Sequence, residues 1–345
     1  MKELEILIDR EKGRLFYKNV SSIISEQNDI PNIHQSLRNK IGPTADRLFH
    51  KLFKNMIKKY GFLYEGRDET EEDIRKMLQE ISYLGYGKLM LSEYNEKILI
   101  NVENSFDRSF NKRYETRTII GILEGAFEEL LGKKCSCEHV SCENEKSCDY
   151  EIEISEEPVE KENNESSYGD YTSVKDLETR HLRYRDGELW YKDTRNIILH
   201  VDFISNTIEE LGNLLGRGAR GIFYEASKYA AIKRINSIKK YRLLTTFSFL
   251  FRPLIKKNME EEYLMRGFGN PEVEVKREKI ILDLENCHNC HGIESDSAIC
   301  YDIQGQVAGV AESMMGSKVI CEEEKCIAKG DDFCRYVAKK RNSKL

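Results

Sequence analysis

Residues 321–334 read CEEEKCIAKGDDFC. Within this run Glu323, Cys326 and Cys334 stand at a Glu-x2-Cys-x7-Cys spacing, and Cys300 lies twenty-three residues before Glu323. Alternation along an extended strand puts Cys321 and Glu323 on one face and Glu322 and Glu324 on the other. A Gly330-Asp-Asp turn separates Cys326 from Cys334. Zinc takes about four N, S or O donors in a tetrahedron, and a site closed by protein ligands is structural rather than catalytic. Cys300, Glu323, Cys326 and Cys334 are therefore candidate zinc ligands, with Cys321 as an alternative to Glu323.

A shortened counterpart, CSCEHVSCENEKSC, occupies residues 135–148. Working outward from the two runs, the halves of the chain match in order, as expected of an internal repeat. Gly13-Arg-Leu-Phe-Tyr-Lys18 matches Gly187-Glu-Leu-Trp-Tyr-Lys192, and Gly85-Tyr-Gly87 matches Gly267-Phe-Gly269. Residues 96–104 (EKILINVEN) match 278–286 (EKIILDLEN), and Gly132 matches Gly316. The chain reads as two tandem copies of one domain, residues 1–154 and 175–345, joined by an acidic linker over 155–174. Residues 151–170 hold eight acidic side chains against one lysine, too little apolar surface to offset the entropy of ordering.

Each copy reads as α+β. A hairpin opening surrounds Gly13 or Gly187. Helical spacing follows at Leu48, Phe49, Leu52 and Met56, or at Ile222, Phe223, Ala226 and Ala230. Alternating strands come next, over 88–93 and 97–103 or 272–276 and 279–285. A glycine-ended helix then covers 117–131 or 304–315, and two cysteine-bearing strands close the copy. The expected architecture is a roughly four-stranded antiparallel sheet covered by helices.

The totals narrow the class. The chain has 345 residues, 40% of them hydrophobic and 33% charged, and a formal net charge of -6. That balance argues against a protein that binds nucleic acid directly by neutralising phosphate. No stretch approaches the eighteen apolar residues of a membrane span, and the charged N-terminal residues lack a signal-peptide core. The expected location is the cytoplasm. There, ten cysteines are metal ligands or redox groups more often than disulfides.

In the first copy His139 takes the place of Glu323, Cys142 that of Cys326 and Cys148 that of Cys334. The counterpart of Cys300 falls near Thr116, so Cys137 or Cys135 must substitute. The candidate set is Cys137, His139, Cys142 and Cys148. In the second copy Cys287-His-Asn-Cys-His291 has the form of a c-type haem attachment motif, but covalent haem follows export and no export signal is present. Cys287 and Cys290 read instead as a redox pair, as a second metal corner, or as competitors for the ion near Cys300.

On the pattern Cys300, a glycine-bearing apolar helix, Gly316, then Glu323-x2-Cys326-x3-Gly330-x3-Cys334, the second copy resembles the 4-vinyl reductase domain family of predicted hydrocarbon-binding proteins. The same spacing resembles the zinc site of the aromatic-effector-sensing domains of phenol-responsive activators. In the wider superfamily the domain is similar to nitric-oxide-binding and trafficking-complex domains that often pair. The resemblance implies a small apolar ligand held between sheet and helices, a structural zinc ion, and pairing as an intrachain pseudo-dimer or a homodimer. Trp190, Phe223, Tyr224, Phe247, Phe268 and Val307 are candidate lining residues, each also ordinary core.

No P-loop, dinucleotide fingerprint or G-x-S-x-G appears, and no hydride-donor site supports a reductase. The reading is a non-enzymatic small-molecule sensor or carrier that acts through a partner protein. A thiol/metal redox sensor and a ligand-free interaction scaffold are the alternatives.

Overall fold

A computed structural model describes residues 2–64, 70–95, 97–106, 117–144, 146–159, 177–237, 251–290 and 292–341. The first half runs β1 (Lys2–Asp9), β2 (Arg14–Tyr17), β3 (Val20–Glu26), α1 (Asp29–Ile41), α2 (Thr44–Lys58), α3 (Glu71–Ile81), β4 (Lys88–Tyr94), β5 (Ile98–Glu103), α4 (Arg117–Leu131), β6 (Lys133–Asn144) and β7 (Ser147–Pro158). The second half runs β8 (Leu177–Arg185), β9 (Glu188–Tyr191), β10 (Thr194–His200), α5 (Phe203–Leu215), α6 (Ala219–Ser237), α7 (Arg252–Met265), β11 (Asn270–Val275), β12 (Lys279–Glu285), α8 (Tyr301–Met315), β13 (Val319–Lys325) and β14 (Cys334–Lys340). The order of elements is the same in both.

The strands follow from period-two patterning. In β12, Ile280, Leu282 and Leu284 are buried while the alternate residues are not, so one face seals the core. The helices follow from i, i+4 stripes. Leu48, Phe49, Leu52, Phe53 and Met56 bury one side of α2, and the Thr70 hydroxyl caps α3 by accepting the Asp73 N–H at 3.2 Å. Helix α7 begins at Arg252 with Pro253 in its first turn, where the missing N–H would be unpaired anyway.

Each half contains one four-stranded antiparallel sheet, ordered β4-β5-β7-β6 in the first and β11-β12-β14-β13 in the second. In each, the glycine-bearing helix lies against the long helix before it. An added Cβ on Gly121 of α4 would meet the His50 carbonyl oxygen of α2 at 2.4 Å, and one on Gly305 of α8 would meet the Tyr224 carbonyl oxygen of α6 at 2.4 Å. Helix α4 thus sits on α2 as α8 sits on α6, backbone close to backbone.

The opening hairpins do not stay with their own halves. Strands β1-β2-β3-β10-β9-β8 form one closed barrel, with β1 antiparallel to β8 and β3 antiparallel to β10. Ile6 and Ile8 point inward from β1, with Leu182 from β8 and Leu189 from β9. Each hairpin turn then sits on the other half. A Cβ on Gly13 would lie 2.0 Å from the Gly269 backbone, and one on Gly187 would lie 2.0 Å from Lys88 N. Both glycines have positive φ, 61° and 81°, so space and backbone conformation together require the residue without a side chain.

A buried ionic group links the halves beside the barrel. Asp29 at the start of α1 receives Arg234 of α6 at 2.9 Å and also Arg266. Burial alone would raise the Asp29 carboxyl, but the two guanidinium groups outweigh it and hold it below the usual range.

Two expectations change. Strand β7 continues through Pro158, so residues 155–158 of the expected linker are sheet; residues 160–176 lie outside the described set. The expected lining residue Phe247, the ring of His291 and the segment near Thr116 also lie outside it. Among the described residues no helix is long and apolar enough to cross a membrane.

Candidate metal centre

The end of β12, the start of α8 and the β13–β14 connection converge on one buried point. Cys300 stands at the cap position of α8. Glu323 lies on β13 opposite Tyr336. Cys326 precedes a short turn over Ile327–Lys329, ended by Gly330 in the left-handed region, and Cys334 opens β14 opposite Leu284. Cys300, Glu323, Cys326 and Cys334 offer ligand atoms within 4.8 Å of one another.

The backbone supports these side chains. The Cys326 N–H donates to the Asp331 carboxylate at 2.8 Å, which fixes the turn. The Ile327 N–H donates to Cys334 Sγ at 3.3 Å, a contact that stabilises a thiolate. Glu323 Oε2 accepts the Cys300 N–H at 3.1 Å, while Glu323 Oε1 is buried with no hydrogen-bond partner among the described residues. Cys321, the alternative to Glu323, stands one strand repeat further away, opposite Ala338. Its N–H donates to the Tyr224 hydroxyl at 3.3 Å, and it does not join the cluster.

The short turn after β12 brings in two more sulfurs. Cys287, Cys290, Cys300 and Cys334 also lie within 4.8 Å of one another. Cys290 Sγ is 3.2 Å from Cys300, 3.7 Å from Cys326 and 3.6 Å from Cys334. Cys287 Sγ is 3.7 Å from Cys300 and 3.6 Å from the buried Tyr336 hydroxyl. The intervening residues face the opposite way. His288 stacks on Phe268 at 4.6 Å between ring centroids, and the Asn289 amide donates to Asp302.

Five thiols and a carboxyl in one water-poor space have unequal proton affinities. Hydrogen bonds from Cys290 and Cys300 bring the Cys326 thiol down to about 6. Cys287 pushes Cys334 upward, but Cys290, Cys300 and Cys326 outweigh it and leave Cys334 at about 5. Burial, then the neighbouring Cys326 and Cys334, drives the Glu323 carboxyl up to about 10. Such a donor set suits a thiophilic cation. With metal–sulfur bonds of about 2.3 Å, tetrahedral geometry places the sulfurs about 3.8 Å apart, close to the separations seen.

The first-half candidates are arranged differently. His139 Nε2 lies 2.9 Å from Cys142 Sγ and 3.3 Å from Cys148 Sγ. Those two sulfurs are joined as a disulfide, which corrects the expectation of thiols throughout. Cys137 is buried nearby, its N–H donating to Glu124 at 3.2 Å, but it does not join them. As a disulfide, the pair supplies no thiolate to a metal.

The expected apolar chamber is small. A cavity of about 20 Å³ lies between β3, β10 and the helices, lined by Ile23, Ile30, Leu199, Phe268 and the polar Arg234, Asp302 and Gln306 among others. It has room for about one water. Of the expected lining residues, Phe268 reaches it. Phe223 and Val307 are ordinary core, and Trp190 belongs to the barrel. The sequence reasoning missed this polar wall, since its parts come from both halves of the chain.

Residues 280–340 match the 4-vinyl reductase domain. The chain is 30% identical over 115 residues to the uncharacterized protein MJ0745 of Methanocaldococcus jannaschii, which covers 33% of this chain and 51% of that protein. It is 25% identical over 171 residues to the phenol regulator MopR of Acinetobacter guillouiae, covering 44% of this chain and 29% of MopR. The chain thus spans about half the length of its first curated relatives. Among solved structures, the phenol-responsive sensory domain of the transcription activator PoxR with phenol superposes with a TM-score of 0.37 at 20% identity, over 46% of this chain and 84% of that domain.

Proposed function

We propose that this chain is a non-enzymatic small-molecule sensor or carrier, a tandem pair of domains of the 4-vinyl reductase type whose second copy is organised by a zinc ion. The observation that carries the metal is the buried cluster at the meeting of β12, α8, β13 and β14. Cys300, Cys326 and Cys334 are its anchors, with Glu323 the oxygen donor indicated by the sequence pattern. When bound, zinc supplies no reaction here. It fastens the β13–β14 connection to the start of α8, in the way structural zinc contributes folding free energy.

The ligand side of the proposal rests on the likeness to a phenol regulator and on the cavity beside the metal loop. Its Ile23, Ile30 and Leu199 wall suits a small, mainly apolar molecule. Because the cavity is small, such a ligand enters only as side chains move, which gives a signalling device its change of state. The thiol-rich site fits the cytoplasm, and output passes to a partner protein. Native mass spectrometry of the purified full chain tests the ligand: a co-purified small apolar molecule supports the proposal. A chain that carries none and shows no thermal shift with phenols or other small aromatics would count against it.

The Cys142–Cys148 disulfide favours a second reading, a redox sensor in which the first half reports oxidation. Alkylation of those two thiols only after reduction would support it.

A further inference from the structure

The sequence pattern pairs Glu323 with three cysteines, but the geometry points to a different fourth ligand. We infer that Cys290 completes an all-sulfur shell with Cys300, Cys326 and Cys334, and that Glu323 stands outside it as a support. This rests on the proposed metal centre and changes its composition.

The distances carry the assignment. Cys290 is in contact with all three anchors, at 3.2, 3.7 and 3.6 Å, near the roughly 3.8 Å edge of a tetrahedron of sulfurs about a central zinc. It therefore occupies the fourth vertex above the face the anchors define. Glu323 is already engaged, its Oε2 accepting the Cys300 N–H at 3.1 Å. A carboxylate holding a ligand's backbone in this way is a typical outer partner of a metal site. Its Oε1 faces the same sulfurs, so the contest is between one oxygen and a thiolate that touches every anchor. Zinc with four cysteines is a common structural set, and thiolates are the softer donors. Cys287 lies further out, against Cys300 and the Tyr336 hydroxyl, and serves as a neighbour to a bound sulfur.

The assignment gives the 287–290 turn a role. Its cysteines face the ion, while His288 and Asn289 face Phe268 and Asp302, which line the enclosed cavity. Binding Cys290 to the metal fixes one wall of that cavity.

X-ray absorption at the zinc edge of the full chain, purified anaerobically, tests this directly. Four sulfurs at about 2.3 Å with no oxygen neighbour are expected. Three sulfurs and one oxygen at about 2.0 Å would overturn the assignment, whereas a chain without zinc would instead sink the metal centre itself. Two variants sharpen the result. Glu323→Gln keeps four sulfurs, and Cys290→Ala drops to three with an oxygen or nitrogen in the vacated position; a four-sulfur shell that survives Cys290→Ala would also overturn it. If Cys290→Ala does not fold, the wild-type and Glu323→Gln spectra still decide.

Discussion

Replacing Gly305 by alanine should loosen the metal centre through a contact that never touches the metal. Gly305 lies five residues after Cys300, on the face of α8 that rests on α6. A Cβ there meets the Tyr224 carbonyl oxygen at 2.4 Å, Ser227 Cβ at 2.8 Å and Lys228 N at 3.0 Å. Two of these atoms are backbone, so no rotamer change relieves them. Alanine gains about 1 kcal/mol of helix propensity over glycine, but overpacking a tight contact costs about 3 kcal/mol at the upper end of its usual range. The net expectation is a loss of about 2 kcal/mol. Relief requires α8 to move from α6 by on the order of 1 Å, which carries Cys300 with it, and metal sites tolerate only about 0.2 Å in ligand distance. Zinc affinity, measured by competition with a chelator, should fall about 10- to 100-fold, as for other changes to the support of a metal ligand. Gly121→Ala is the control. It makes the same 2.4 Å clash with the His50 carbonyl in the first half, and should lower stability by a similar amount in urea titrations without changing zinc affinity. Equal zinc affinity in wild type and Gly305→Ala would refute the link between helix spacing and ligand geometry.

Other outcomes follow from the barrel and its surroundings. Asp29→Ala leaves Arg234 and Arg266 buried without their shared carboxylate, and should cost about 3–5 kcal/mol in chemical denaturation. Gly13→Ala places a Cβ 2.0 Å from the Gly269 backbone at a φ of 61°, so it should destabilise both halves together and lower a single melting transition rather than one of two. His200 is held down to about 4, first by burial and then by Lys59, against the pull of Asp202. Its folded value lies below its unfolded one, so the unfolded chain binds more protons between about pH 6.5 and 4, and stability falls as pH falls through that window. The loss should reach about 3 kcal/mol, and His200→Gln should flatten the curve of stability against pH.

Much of each sheet was legible because period-two alternation states its own geometry. Residues 97–103 and 279–285 announced β5 and β12 almost to the residue, and the repeated glycines announced the turns. The shared barrel was not legible, because β1 could pair with any complementary strand, and the choice of β8 depends on how both halves assemble. The ambiguity between Cys321 and Glu323 had a local cause. The register shifts between Glu323 and Lys325, and a bulge re-aims the residues that follow it. Proximity of Cys290 was suggested by its place ten residues before Cys300, but only the fold of the 287–290 turn shows which sulfurs it meets. The Asp29–Arg234–Arg266 group joins residues some two hundred positions apart, and no local pattern marks it.

Metal content is the most direct test of the proposed centre. Zinc should be found at one ion per chain in full-length protein purified anaerobically, and should be absent from a folded Cys326→Ser variant. Protein that folds and carries no zinc or other thiophilic ion, with all five thiols of the cluster free to alkylate, would contradict it.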